Sequence, residues 1–324
     1  MARNPGTSAD DAPRPFIVGI SGDSGSGKNT VAQGVRALLG AEHVATLELD
    51  DYHRFTRAER EERGLTALDP SVHNLGLVQE HLTLFRRGRP VRNRAYDHSD
   101  GTFGPSRLVE PNEVVIVRGL LAFPSDELRA AYDLAVFLCP EPELLFRWKL
   151  RRDVRTRGYT EAQVLKHIVQ HLLDSKEHVL PQAARADVVV RYTVPEWDAP
   201  DSEVRASLLL RRGAAEVLRG EEQKLARFGG HVRVEEEGDD VAVHVESGLT
   251  DAELDAWAGE RFPGTYRPEL VGQHVSDDGE PTRLLPLAFA QVLVAALTEH
   301  LRHSSEATAK PADLRRRDSA GAAA

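Results

Sequence analysis

Residues Gly22, Asp23, Ser24, Gly25, Ser26, Gly27, Lys28, Asn29 and Thr30 read GDSGSGKNT, a run whose glycines and single lysine are arranged to bind phosphate. Gly25 and Gly27 let the backbone turn tightly with its N–H groups pointing inward. A following helix N-terminus adds partial positive charge, and Lys28 reaches the outer phosphates. Gly22, Gly27 and Lys28 fit the spacing G-x-x-x-x-G-K, whereas the next position, commonly Ser or Thr, is Asn29. The dinucleotide-binding spacing G-x-G-x-x-G is absent.

A phosphate loop that transfers its phosphate needs an acceptor site, expected at the carboxyl ends of neighbouring strands. The polar groups expected there are Asp50, Asp51, His53, Arg57, Tyr96, His98 and Arg118. A carboxylate one strand away from the phosphates can take a proton from an attacking hydroxyl, and Asp50 is the candidate base. The alternative is that Asp50 and Asp51 cap a turn. Arg57 and Arg94 suit an anionic substrate through bidentate guanidinium contacts. His53 and His98 lie in polar stretches and can bond sugar hydroxyls. The cation-dense segment Lys149, Arg152, Asp153, Arg155, Arg157, Gly158 could close over transferred phosphate, or be an exposed helix face with i,i+4 pairs. No His/Cys/Asp spacing suggests a zinc site.

The phosphate loop must sit between a strand and a helix, and both are legible. Phe16–Ile20 is an apolar run, and Val31, Val35, Leu38 and Leu39 follow at helical spacing up to Gly40. Further strands are expected at 44–49, 113–117, 134–138 and 188–192. Helices are expected at 75–87, 126–131 and 143–157, the last with Leu144, Leu145, Trp148 and Val154 inward. Another follows a Thr160–Gln163 capping box, with a broad apolar stripe through Val164, Leu165, Ile168, Val169, Leu172 and Leu173. Residues 57–63 read as a charged, solvated stretch and Tyr96-Asp97-His98 as a loop. Alternating strands and helices indicate an α/β fold with a mostly parallel sheet flanked by helices. After about residue 195 the pattern changes to a smaller α+β extension. It holds a strand at 203–211, a helical stretch at 213–228, a hairpin turning at Gly238-Asp239, a helix capped by Thr250 and an apolar helix at 284–301. The expected divisions are an unstructured lead at 1–14, a phosphate-loop domain at 15–198, the extension at 199–303 and an unstructured tail at 304–324.

The net charge of −10 over 324 residues argues against general nucleic-acid binding. No apolar run approaches the ~20 residues of a membrane span. The first residues lack a signal-peptide core, and Cys139 is the single cysteine, so the expectation is a cytoplasmic protein without an intrachain disulfide.

The chain resembles the phosphoribulokinase and uridine kinase family of P-loop kinases. The resemblance is carried by GDSGSGKNT, LDDYHRFTR at 49–57, TALDP at 66–70, YDH at 96–98, WKLRRD at 148–153 and Arg157-Gly158, in order over residues 16–192. TALDP, the Lys-x-x-Arg-Asp element and the C-terminal portion make it more similar to the phosphoribulokinase branch. The resemblance implies ATP and Mg²⁺, a small sugar phosphate such as ribulose 5-phosphate as acceptor, and Asp50 as base. It implies Lys28, Arg152 and Asp153 at the phosphates, and His53, Arg57, Tyr96, His98 and Lys149 near the substrate. Asn29 and Asp50 are the expected metal contacts. Homo-oligomerisation is left open. Two positions depart from the family pattern: Asn29 replaces the loop Ser/Thr, and Arg118, in VRGLL, stands where the family carries a glutamate thought to serve the metal. Three readings follow: a sugar-phosphate kinase, a kinase for another sugar phosphate or a nucleoside, and a catalytically impaired binding protein.

Overall fold

The apolar runs at residues 16–20, 114–117 and 134–138 pair as parallel neighbours at the centre of one sheet, the arrangement that buries both faces of a strand. The computed structural model describes residues 14–220, 222–276 and 279–318. In chain order its elements begin β1 (Phe16–Gly22), α1 (Lys28–Leu38), β2 (Val44–Glu48), α2 (Arg57–Glu62), α3 (Leu75–Arg86), β3 (Val91–Asp97) and β4 (Thr102–Val109). There follow β5 (Val114–Gly119), α4 (Asp126–Arg129), β6 (Leu134–Leu138), α5 (Pro142–Arg157), α6 (Glu161–Asp174) and β7 (Val188–Thr193). The remainder supplies β8 (Arg205–Leu210), α7 (Arg212–Arg219), α8 (Glu222–Leu225), β9 (Val232–Glu237), β10 (Asp240–Val245), α9 (Asp251–Arg261), β11 (Gln273–Val275), β12 (Pro281–Arg283) and α10 (Leu285–Asp318).

The main sheet has eight strands in the order β2-β5-β1-β6-β7-β8-β10-β9. The first five run parallel, and β8, β10 and β9 continue the sheet antiparallel. The strands of the C-terminal extension are therefore built onto the same sheet as the phosphate loop. Alternate residues of the central strands feed two cores. Val18, Ile20, Ile116 and Val136 face α1, α7, α9 and α10, while Ile17, Val115, Val117 and Phe137 face the α3 side. Each such side chain contributes about 1.5–3 kcal/mol by leaving water.

The C-terminal helix braces the helix that carries the loop. Gln291 of α10 is fully buried, donates from Nε2 to the Thr30 carbonyl at 2.8 Å, and accepts from the Gly272 N–H at 2.7 Å. Gly34 of α1 makes room for it, since a Cβ there would lie 2.2 Å from the Gln291 amide carbon.

Several local expectations change. Tyr96-Asp97-His98 is not a plain loop: Tyr96 and Asp97 end β3, which pairs with β4 as a hairpin. The hairpin was obscured because its inward residues Val91, Asn93 and Tyr96 are interrupted by a register shift between Arg94 and Tyr96. Residues 57–62 are helical, closed by a Thr56–Glu59 capping box. On α5, Leu144 is buried as expected, but Lys149 and Asp153 are buried with it. On α6, Val164 is buried, whereas Leu165, Val169, Leu172 and Leu173 are exposed. This helix turns His171 and Asp174 inward, where Lys149 and Thr66 bond them, and that polar side wins over the apolar stripe. The short pair β11–β12 has no clear alternation and was not read. The last helix continues to Asp318, through residues expected to be an unstructured tail; Ser304 and Ser305 bond back to the carbonyls of His300 and Leu301. Of the expected lead, residues 1–13 lie outside the described residues, as do 319–324.

One buried ion cluster ties the small hairpin to α5. Asp201 accepts from Arg147 Nη2 at 2.9 Å, Arg151 Nη1 at 2.8 Å and His274 Nε2 at 2.7 Å. Burial opposes ionisation, but the hydrogen bonds from His274 and Arg151 outweigh it and bring Asp201 down to about 2, from an ordinary 3.8. A depressed carboxyl stabilises the fold above its unfolded value, and the contribution is lost as pH falls from about 4 through about 2. At about 1.4 kcal/mol per unit this is on the order of 2 kcal/mol. Asp201→Asn is expected to lower the melting temperature at pH 7, and the gap from the wild type should close as pH approaches 2. A gap independent of pH would contradict the assignment.

Candidate active site

β1 ends in Gly22, and the loop that follows is shaped from behind by buried Gly22, Asp23 and Ser26. A Cβ at Gly22 would lie 2.5 Å from the Leu138 carbonyl oxygen, and the backbone there has φ +150°, so no other residue fits without displacing β6. Gly25 has φ +96° and approaches α5 so closely that a Cβ would meet the Lys149 Cβ at 3.0 Å. Asp23 Oδ1 accepts from the Ser24 N–H at 2.5 Å, and Oδ2 accepts from the Ser175 hydroxyl. Lys28 folds back to donate to the carbonyls of Gly22 at 2.8 Å and Asp23 at 2.7 Å. Burial lowers its ammonium to about 8, against the pull of Asp23 and Asp50.

From α5, Arg152 donates to Ser24 Oγ at 3.1 Å and to Asp153 Oδ1 at 2.8 Å; buried Asp153 also pairs with Arg157 at 3.3 Å. Buried Lys149 lies 3.3 Å from His171 Nδ1. Burial, reinforced by the Lys149 charge, lowers His171 to about 3, so its Nδ1 accepts from that ammonium at neutral pH.

The acceptor side begins where β2 gives way to the tight turn Leu49–Tyr52, which carries Asp50 into the cleft. His98 Nε2 lies 3.2 Å from Asp50 Oδ2. Burial alone would raise the Asp50 carboxyl, but the His98 hydrogen bond and nearby cationic groups, Lys28 among them, hold it well below the usual carboxylate range. His53 is buried, and burial lowers it to about 3 despite Asp50. It is uncharged at neutral pH. Its Nδ1 lies 2.7 Å from the Asp50 carbonyl, which can only accept, so the proton sits on Nδ1 and Nε2 presents a lone pair. That buried Nε2 has no hydrogen-bond partner among the described residues.

Asp51 points the other way and anchors the β3–β4 hairpin, accepting from the Tyr96 N–H at 2.8 Å and from Arg107 at 2.7 Å. Tyr96 packs against His53 and His98, and buried Arg60 donates to its hydroxyl at 2.9 Å. Arg57 donates to the His98 carbonyl at 2.6 Å. Asp50, His53, Arg57, Arg60, Tyr96 and His98 line, with Lys28 and the α5 residues Lys149, Arg152 and Asp153, one cleft of about 1360 Å³, larger than the ~300–1,000 Å³ typical of one small-ligand pocket. It has room for a nucleotide and an acceptor together.

Among the expected site residues, Ser24, Gly25, Gly27, Lys28, Asn29, Thr30, Asp50, His53, Arg57, Tyr96, His98, Lys149, Arg152 and Asp153 line this cleft. Arg94 does not join them; its guanidinium stacks over the Phe103 ring, 4.2 Å from the centroid. Arg60 and His171 were missed, one inside a charged run and the other on an apparently apolar helix. Neither environment is visible in spacing alone.

Residues 17–198 match the Phosphoribulokinase / Uridine kinase family, more than half of the chain. The chain belongs to this family. A phosphoribulokinase from Synechocystis is 35% identical over 178 residues, covering 55% of this chain and 54% of that protein. A uridine kinase from Geobacillus kaustophilus is 30% identical over 181 residues, covering 55% of this chain and 86% of that one. The chain spans about half the length of the curated phosphoribulokinases it matches first, 54% in each of two. The solved phosphoribulokinase from Rhodobacter spheroides shares the fold, with a TM-score of 0.58, 19% identity, and coverage of 75% of this chain and 94% of that one. No helix among the described residues is long and apolar enough to cross a membrane.

A divalent ion of the kind the family implies needs oxygen donors. Asn29 Oδ1 and Glu48 Oε1 both accept from the Arg118 guanidinium, the second at 2.7 Å, and Asp50 Oδ2 faces His98. A fixed cation thus sits on two of these three side-chain oxygens. As arranged, these residues do not fit a magnesium ion held by the protein.

Proposed function

We propose that this chain is an ATP-dependent kinase that phosphorylates a sugar-phosphate hydroxyl, with ribulose 5-phosphate as acceptor and ribulose 1,5-bisphosphate as product. The observation that supports it best is that Lys28 of the phosphate loop and Asp50 of the neighbouring turn line the same cleft. In this reading the acceptor oxygen attacks the γ-phosphorus, the bond to the departing ADP breaks, and the hydroxyl proton passes to Asp50. Asp50 is ionised at neutral pH and is a weak base. A loose phosphoryl transition state asks for little proton removal early, so orientation of the hydroxyl is its larger task. Lys28 and Arg152 hold phosphate oxygens. In this reading His53, Arg57, Tyr96, His98 and Lys149 surround the acceptor. Residues 15–198 carry the chemistry, and 199–303 complete the sheet and brace α1.

The names of the relatives support a phosphorylated pentulose first and a nucleoside second. Supplying ATP with ribulose 5-phosphate, other pentose phosphates or uridine, and following the products by phosphorus NMR, decides between them. A new phosphomonoester on ribulose 5-phosphate is expected. Preferred phosphorylation of uridine would overturn the acceptor assignment. A second reading, a nucleotide- or sugar-phosphate-binding protein without turnover, is favoured by the Arg118 contacts with Asn29 and Glu48. It would give tight binding and no product.

A further inference from the structure

Arg118 ends β5, beside both the loop-bearing β1 and β2; its register partners are Ile20 and Glu48. Its side chain is 15% exposed, so the guanidinium is largely held within the protein at the rim of the cleft. Nη1 donates to Asn29 in the first turn of α1, and Nη2 donates to Glu48 at 2.7 Å. A guanidinium has five N–H donors, and these contacts use two. Asn29 is the residue after Lys28, and α1 directs its N-terminus at the same place. Arg118 is close enough to Lys28 to depress its proton affinity. A positive group fixed here, beside Lys28 and the helix N-terminus, has the charge and geometry to meet outer-phosphate oxygens.

Resting on the nucleotide reading above, we propose that Arg118 is a resident cationic contact for the outer phosphates of the bound nucleotide, positioned by Asn29 and Glu48. Binding of the nucleotide then depends weakly on a divalent ion. Asn29 and Glu48 serve as holders of the guanidinium, and the amide at Asn29 suits this role because its oxygen accepts without adding charge. An acidic residue at 118 would make the opposite site, anionic and dependent on the ion.

The test is ATP binding to the full-length protein by calorimetry, once with excess Mg²⁺ and once with EDTA, for the wild type, Arg118→Gln and the pair Asn29→Ser with Arg118→Glu. The wild type is expected to bind with affinities within about threefold of each other in the two conditions. Arg118→Gln should lose up to about 100-fold in EDTA, the upper factor for one unit charge at ~6 Å in an effective dielectric near 20. The double variant should bind much more tightly with Mg²⁺ than without. Wild-type binding that collapses in EDTA would overturn the proposal and leave the nucleotide reading intact; this arm needs no variant to fold. Unchanged EDTA binding by a folded Arg118→Gln protein would also overturn it and leave Arg118 a structural partner of Asn29 and Glu48 only. Absence of ATP binding under both conditions would remove the nucleotide reading, and this inference with it.

Discussion

Asp50→Asn is expected to lower kcat for sugar phosphorylation by about 10²- to 10⁴-fold, the usual contribution of a positioned general base. The change keeps size and the ability to bond His98, which lies 3.2 Å from Oδ2. Loss of activity would therefore report the missing proton acceptor and charge rather than a collapsed turn. The KM for ATP should move little, because the phosphate loop hangs on Gly22, Asp23 and Ser175 rather than on Asp50. Asp50 is held below the usual carboxylate range, so its titration should place no acid limb on the rate profile above about pH 4. Unchanged kcat in the Asn variant would reduce Asp50 to a turn residue.

Lys28→Met is expected to cost about 10²- to 10³-fold in kcat/KM, comparable to removing one preorganised donor from a developing negative charge. Lys28 now spends its donors on the carbonyls of Gly22 and Asp23, and its ammonium titrates near 8 because of burial. The sign follows directly. Below pH 8 the group is charged and ready for phosphate. Above pH 8 it is neutral in the free protein and must take up a proton when phosphate arrives. ATP affinity should fall with rising pH above 8, by up to tenfold per unit, with proton uptake approaching one per ATP bound. Calorimetry in buffers of different ionisation enthalpy measures that uptake. Lys28→Met should abolish it, and uptake that persists in the variant would assign the proton to another group.

The sheet and the loop were legible because their signals are local. A strand such as β5 is a run of buried residues, and the phosphate loop is a run of glycines ending in a lysine. Asp50 was legible for the same reason, as a carboxylate at the end of a short apolar strand. What the sequence hid was produced by tertiary competition. The apolar positions of α6 did not mark its buried face, because Lys149 and Thr66 bond the other side. Lys149 and Asp153 could be read either as part of a cation cluster over the phosphate or as an exposed helix face; both are buried, Lys149 against Gly25 of the loop. Asn29 and Arg118 lie 89 positions apart, and their hydrogen bond could not be inferred from either departure alone. The C-terminal strands read as an extension but join the main sheet, and α10 secures α1 through Gln291.

The most direct test of the central claim is initial-rate ADP release from ATP in the presence of Mg²⁺, with and without ribulose 5-phosphate, for the wild type and Asp50→Asn. The account predicts release that requires the sugar phosphate and falls by about 10²-fold or more in the variant. Sugar-dependent release that is equal in the two proteins, or no release despite tight ATP binding, would contradict it.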